Sequence, residues 1–228
     1  TARVDGARVL NMTISRRGGR WYAALTVERD EPTVKQAPKG GAVGIDLGVK
    51  ALATLSDGTV IPNPHHLQAD EQRLKRAQQA LSRKMKGSKR RAKAKDRVAR
   101  LHARIANRRT DTLHKLTARL AQTYSDICIE DLNVAGMVKN HHLAKVISDV
   151  SFYELRRQLE YKTAKTGAKL HVIDRWYPSS KTCSNCGSVK TKLSLKERTY
   201  KCEHCGLVID RDLNAAINIM VAGSARRP

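Results

Sequence analysis

Apolar and polar positions alternate with the period of a β-strand over residues 9–15 and again over 21–28. Between them, Arg16-Arg17-Gly18-Gly19-Arg20 supplies two glycines able to take positive φ, so the pattern predicts a hairpin. Two strands alone do not hold together in water, and residues 30–41, with two prolines and two glycines, read as a linker. Short apolar runs at 42–47, 51–55 and 59–61 are separated by Gly48-Val49-Lys50 and Ser56-Asp57-Gly58, which predicts a three-stranded meander with tight turns. The spacing then changes. Leu74, Leu81 and Met85, next Val98, Leu101 and Ile105, and last Leu113, Leu116 and Leu120 recur at helical intervals with a break near Gly87-Ser88, so two or three helices are expected, the later ones packed on the sheet. Ile127-Cys128-Ile129 is a continuous apolar run suited to a central strand covered on both faces. After a loop with Gly136 and Asn140, a helix is expected over 152–165, a strand over 169–173 and a helix over 213–222. Strands alternating with helices indicate an α/β domain with a mixed sheet.

Composition sharpens this picture. With 228 residues, 40% of them hydrophobic, the chain can bury one ordinary core and carry a small second module. Lys and Arg number 44 against 21 acids, a formal charge of +23 that calls for a polyanionic partner, nucleic acid ahead of a membrane. No run of about 18 apolar residues and no signal-peptide succession is present, so the expectation is a cytoplasmic protein of a bacterium or archaeon, nucleoid-associated when bound to DNA. The chain starts at Thr1 without methionine, and we expect a piece of something longer. Between positions 73 and 109, sixteen residues are Arg or Lys and Asp96 is the only acid. A solvated face would mix both signs, so this run is expected to contact phosphates, with Arg83, Lys84, Lys89, Arg90, Arg91, Lys93, Arg108 and Arg109 as candidates.

Three acids stand at the edges of apolar elements. Asp46 follows Val43-Gly44-Ile45, Glu130 closes Ile127-Cys128-Ile129, and Asp212 precedes an Ala/Ile-rich helix, near its N-cap. Each has an ordinary alternative: a turn former before Gly48, a strand-end cap at Glu130 or Asp131, a helix cap at Asp212. If the two strands are neighbours and the helix crosses their ends, the acids converge. They then raise each other's pKa unless cations lie between them. Hard oxygen donors select Mg²⁺ or Mn²⁺, and two such ions about 3.5–4 Å apart suit phosphodiester hydrolysis.

Four of the five cysteines form two knuckles, Cys183-Ser184-Asn185-Cys186-Gly187 and Cys202-Glu203-His204-Cys205-Gly206, separated by fifteen residues. Four sulfurs can close a tetrahedron around Zn²⁺ and leave no open position, which predicts a structural rather than a catalytic metal at Cys183, Cys186, Cys202 and Cys205. A redox pair is the weaker reading, because a thioredoxin-like context is lacking, and His204 is a spectator. Lys190, Lys192, Lys196, Arg198 and Lys201 put positive charge on this finger, with Arg198 as candidate phosphate clamp. Cys128 reads as a small buried hydrophobe. His65-His66 and His141-His142 are expected in loops and not as ligands.

The segments Gly44-Ile45-Asp46-Leu47-Gly48, Ile129-Glu130-Asp131-Leu132-Asn133 and Asp210-Arg211-Asp212-Leu213-Asn214-Ala215-Ala216, with the Cys-x-x-Cys-Gly pairs before the last, resemble the three RuvC motifs and zinc insert of the TnpB family. These are transposon-encoded, RNA-guided nucleases of the OrfB type, similar to the type V CRISPR effectors. The likeness extends to Asn107-Arg108-Arg109-Thr110-Asp111, His114-Lys115 and Tyr177-Pro178-Ser179-Ser180-Lys181, and through the last of these it adds Lys181 to the nucleic-acid candidates. It implies an RNase H-like (RuvC) mixed sheet with flanking helices, and Asp46, Glu130 and Asp212 as catalytic acids, Asp212 being preferred over Asp210. It further implies Mg²⁺ or Mn²⁺ and Zn²⁺ as cofactors, and DNA, single-stranded at the cut, as substrate. Guide RNA is implied for the full-length protein, with no membrane and no small-molecule substrate. The expected organisation is a hairpin remnant of an upstream wedge-type barrel plus linker (1–38) and a nuclease core (39–178) with a basic helical insertion at 70–120. A zinc-finger insert (179–208) and the last nuclease helix (209–228) follow. The competing readings are a nuclease-dead nucleic-acid-binding module and a transposase that joins strands as well as cutting them.

Overall fold

A computed structural model describes residues 6–28, 37–194 and 196–225. The expected linker falls largely on 29–36 and so lies mostly outside the described residues. The chain divides into two compact units, one drawn from Thr1–Val34 and His65–Thr112, the other from Lys35–Pro64 and Leu113–Pro228. No helix among the described residues is long and apolar enough to cross a membrane.

In the first unit, β1 (Arg8–Arg17) pairs antiparallel with β2 (Arg20–Glu28), and Arg17 faces Arg20 across the turn. Gly18 and Gly19 have φ of 56° and 78°, the left-handed pair that a two-residue hairpin turn needs. The hairpin's large apolar side chains are exposed, Trp21 to 71%. Helix α1 (His66–Ser82) and the first part of α2 (Lys89–Thr123) complete the unit. The corner between them falls at the expected break. Gly87 has φ 83°, the Ser88 hydroxyl accepts from the Arg91 amide at 3.1 Å, and Arg91 Nη1 donates to the carbonyls of Leu81 and Lys84 at 3.2 and 2.9 Å. Beyond that corner α2 is one helix of 35 residues, because no glycine or proline interrupts its apolar spacing.

In the second unit, five strands lie in the order β5-β4-β3-β6-β7. They are β3 (Gly40–Leu47), β4 (Ala51–Leu55), β5 (Val60–Pro62), β6 (Tyr124–Glu130) and β7 (Lys169–Ile173). β3, β4 and β5 form an antiparallel meander, while β6 is parallel to β3 and β7 to β6, so the sheet is mixed. Val43, Ile45, Ile127 and Ile129 share a core with Leu113 and Leu120 from the end of α2 and with Leu155 and Leu159 of α5 (Phe152–Thr166). The intervening residues face α6 (Arg211–Ser224). Small residues there let the helix come close. A Cβ on Gly44 would lie 2.0 Å from the Ala216 carbonyl and 2.5 Å from the Met220 amide, and one on Gly223 would lie 2.4 Å from Cys128 Sγ. Cys128 is fully buried in this contact, in keeping with a packing role. Gly44→Ala is therefore expected to destabilise the fold by about 1–3 kcal/mol, the usual cost of overpacking, as a lower denaturant midpoint with unchanged slope.

The loop expected around Gly136 and Asn140 is instead two short helices, α3 (Val134–Lys139) and α4 (His141–Val150). The missed signals are two asparagine caps. Asn133 Oδ1 accepts from the Gly136 amide at 2.9 Å and Asn140 Oδ1 from the His142 amide at 3.1 Å, each meeting an amide that a helix start leaves unpaired. Neither histidine pair lies in a loop as expected. His141 and His142 open α4, while His65 is the N-cap residue of α1 and His66 its first residue. Neither pair joins a metal-type cluster among the described residues.

Candidate active site

The parallel pairing of β3 with β6 sets Gly44 opposite Cys128 and Ile45 opposite Ile129. Asp46 and Glu130 follow directly, side by side at the carboxyl ends of the two strands. Side chains alternate across a sheet. Gly44 and Cys128 face α6, so Asp46 and Glu130, two residues on, project toward the same face. α6 lays Ala216 and Met220 over Gly44, and Gly223 over Cys128. Its first turn, with Asp212, therefore extends toward the strand ends that carry the other two acids.

Electrostatics supports the convergence. The Asp46 carboxyl is pushed from 3.8 up to about 7, first by burial, then by the negative charges of Glu130 and Asp212, against the opposing pull of Arg211. Burial also raises Glu130, partly offset by a hydrogen bond donated by the Ser179 hydroxyl. The three acids do not pack as tightly as the cysteines, whose ligand atoms form the one group within 4.8 Å of one another among the described residues. Glu130 and Asp212 nevertheless both act on Asp46 through their charge. An all-oxygen donor set that repels itself fits a hard divalent cation.

The neighbouring acids do different jobs. Asp131 accepts from Arg156 at 2.7 Å and from Arg175 Nε at 3.0 Å, and these guanidiniums, Arg175 foremost, hold it below the usual carboxylate range. Asp210 is the N-cap residue of α6. Its Oδ1 accepts from the amides of Asp212 and Leu213 at 2.9 and 3.0 Å. Asp212 lies two residues beyond the cap, and its Oδ1 accepts from Arg211 Nη2 at 3.0 Å.

Three residues of the site were not singled out from the sequence. Ser179, within Tyr177-Pro178-Ser179-Ser180-Lys181, orients Glu130. Asn214 and Asn218, one turn apart on α6, both donate to the Thr182 carbonyl at 2.7 Å, and Asn218 also donates to the Ser179 carbonyl at 2.8 Å. Asn214 Oδ1 accepts from the Ser184 amide at 3.0 Å. Both asparagines are buried. Two amides on the inner face of an otherwise Ala/Ile-rich helix were the available signal, since a buried amide needs partners. They tie the helix carrying Asp212 to the segment that holds Glu130 and leads into the first cysteine knuckle.

The knuckles share one geometry. The Cys183 amide donates to the Ser188 carbonyl at 2.8 Å and the Cys202 amide to the Leu207 carbonyl at 2.8 Å, while Gly187 and Gly206 both take φ 75°. β8 (Thr199–Lys201) and β9 (Val208–Asp210) support the second knuckle, and fully buried Tyr200 packs against Cys183 and Cys202. The sulfurs of Cys183 and Cys205, and of Cys186 and Cys202, are each 3.6 Å apart. No disulfide is that long. A tetrahedron with metal–sulfur bonds of about 2.3 Å has edges of about 3.8 Å, so the four thiols fit such an ion. The Ser188 hydroxyl, within 3.2 Å of Cys186 and 3.3 Å of Cys202, lowers both thiols and favours their thiolates.

The basic candidates take several roles. Arg91 braces the helix corner as described, Arg83 is the C-cap residue of α1, and Arg108 Nη1 donates to buried Asp70 at 3.0 Å. Lys181 Nζ donates to the Thr191 carbonyl at 3.3 Å. Within the first unit, Arg17, Arg20, Arg97, Arg100, Arg104 and Arg108 line one groove of about 550 Å³ with no acid among its walls. Arg17 and Arg20 belong to the hairpin turn and were not expected to contribute.

The family model OrfB_IS605, described as "Probable transposase", matches residues 24–141, and the Cas12f1-like TNB domain matches 152–219. The chain belongs to the TnpB family of OrfB-type proteins. It is 51% identical, over 97% of its length and 54% of the relative's, to a Streptomyces pristinaespiralis protein named "Putative RNA-guided DNA endonuclease". It is 37% identical to the Escherichia coli K12 protein of that name, InsQ, over 95% of this chain and 57% of the relative. The chain thus spans about half the length of the curated relatives it matches. Among solved structures it resembles a CRISPR-Cas12f ternary complex, with a TM-score of 0.61 at 20% identity over 88% of this chain and 42% of that one. It also resembles a Cas12f1-sgRNA-target DNA complex, with a TM-score of 0.56 at 18% identity over 92% of this chain and 55% of that one. That level of likeness establishes a shared mixed α/β fold.

Proposed function

We propose that this chain is the nuclease part of an RNA-guided DNA endonuclease, with an RNase H-like (RuvC) core whose Asp46, Glu130 and Asp212 hold Mg²⁺ or Mn²⁺. The observation that carries the reading is Asp46, at the carboxyl end of β3 beside Glu130 of β6, its carboxyl raised to about 7 by desolvation and by the charges of Glu130 and Asp212. A site that costs stability when empty of cations is built for function. Divalent ions held by Asp46, Glu130 and Asp212 would supply Lewis-acid activation of water and charge stabilisation at the scissile phosphate. The chain's own residues do the rest. Asp46 and Glu130 present oxygens from rigid strand ends, Asp212 presents its carboxylate from the first turn of α6, and Ser179 fixes the Glu130 rotamer. Arg211 balances the negative charge while the acids are unliganded. In the whole protein, guide RNA is expected to select the DNA, and the four cysteines to hold a structural Zn²⁺ that keeps the 179–184 segment in register with α6.

The test is to incubate the chain with labelled single- and double-stranded DNA in Mn²⁺ or in EDTA. Cleavage only in the metal is the expected result, and cleavage that persists in EDTA would overturn the reading. Ser179→Ala should slow cleavage by roughly 10- to 100-fold, the worth of one hydrogen bond to a charged group, with thermal stability near that of the wild type. DNA binding should weaken steeply with salt, and Arg104→Gln should reduce the slope of log Kd against log salt by about one.

A further inference from the structure

Beside the acids, on the other side of Glu130, lies an open groove of about 240 Å³. Its floor is apolar. Leu47, Ile129, Leu132 and Phe152 line it, while Tyr153, 70% exposed, stands at its edge. Arg156 and Arg175 also line it, and both are held by Asp131. Glu130 is thus common to the groove and to the acid cluster. Because Glu130 lines both, the groove is within reach of the group next to a phosphate held at the acids. A phosphate there would rest on hydrocarbon beside Glu130, and the two guanidiniums are already engaged by Asp131 and, for Arg156, by Glu160, so the groove is a poor site for an anion. A nucleobase is flat, weakly polar and π-faced, and it suits an apolar floor with an aromatic edge.

The geometry points to this groove as a nucleobase subsite: it receives the base adjacent to the cleaved phosphodiester, with Tyr153 stacking on it. The inference rests on the nuclease reading of Glu130 and adds to it a residue that contacts the base. A base inside a duplex is paired and stacked, so the nucleotide entering here is single-stranded or extruded at the moment of cutting. The two arginines, fixed by Asp131, keep further N–H groups for the base edge or sugar.

The test compares the wild type, Tyr153→Ala and Tyr153→Phe with Ca²⁺ in place of Mg²⁺ or Mn²⁺, a hard cation that fills oxygen sites with looser geometry, and with the oligonucleotides checked by gel to be uncut. Fluorescence anisotropy reads binding to a short single-stranded oligonucleotide and to the same backbone with every base replaced by an abasic site. Phosphate contacts are equal on the two ligands, so their affinity ratio isolates the bases. For the wild type the normal oligonucleotide should bind more tightly, and Tyr153→Ala should shrink that preference by about fivefold to a hundredfold, the usual effect of removing one stacking ring. Tyr153→Phe should retain it. Tyr153 is exposed, so its loss leaves the core intact, and a merely structural role would change both ligands alike. An undiminished preference in Tyr153→Ala overturns the subsite while leaving the nuclease reading standing. Failure of both oligonucleotides to bind the wild type overturns both.

Discussion

Asp46→Asn is expected to abolish metal-dependent cleavage and, in the absence of metal, to make the protein more stable. The loss of activity should be at least about 10²–10³-fold, as when one group stabilising the transition state is removed. The gain in stability follows from the raised carboxyl. An acid whose pKa rises on folding binds its proton more tightly in the native state, so stability falls as pH climbs from its unfolded value, 3.8, toward about 7, and the full cost persists above. That displacement is worth roughly 4 kcal/mol. Asparagine resembles the protonated acid. Without added Mg²⁺ or Mn²⁺, and with zinc retained, the two proteins should therefore unfold at similar denaturant concentrations near pH 4, and the variant should be the more stable at pH 8. Added Mg²⁺ should stabilise the wild type and narrow that gap. Equal stability at both pH values would mean that Asp46 is not held against its neighbours' charge.

Cys202→Ser is expected to have the second large effect. Structural zinc contributes about 10–16 kcal/mol to the folding of small isolated fingers, so a broken ligand set should release the ion. Total-reflection X-ray fluorescence should find close to one zinc per wild-type chain and well under one in the variant. The consequence should reach the acids. Thr182 and Ser184, beside the first cysteine, bond to Asn214 and Asn218 on the Asp212 helix, and Ser179 bonds to Glu130. Cleavage should fall by at least the factor expected for Ser179→Ala. A variant that loses its metal yet cuts DNA at the wild-type rate would separate the finger from the catalytic face.

Much of this was legible in the chain before any coordinates. Hydrophobic period located β4 and β7 to the residue, because each is bounded by turn residues or by a glycine-ended helix, and it marked the β6 run as a central strand; that β6 pairs with β3 is seen only in the structure. The partners of each acid were less accessible. Glu130 and Asp131 are adjacent acids, and only the strand's alternation, with Cys128 against Gly223, separates the one facing α6 from the one paired to Arg156 and Arg175. Asp210 and Asp212 posed the same problem, which cap geometry resolves in favour of Asp210 as the capping residue. Ser179, Asn214 and Asn218 escaped notice because their roles depend on contacts 30 to 49 residues away in sequence. The asparagine-capped helices α3 and α4 were hidden by a Gly136 that reads as a loop breaker.

The central claim is that acids from β3, β6 and α6 bind divalent cations jointly. The most direct measurement is a Mn²⁺ titration followed by electron paramagnetic resonance of the free ion. It should include the wild type, Asp46→Asn, Glu130→Gln, Asp212→Asn and, as a control, Asp210→Asn. Tight binding is expected for the wild type and for Asp210→Asn, and its loss in each of the other three. Undiminished Mn²⁺ binding by Asp46→Asn or by Asp212→Asn would contradict that claim.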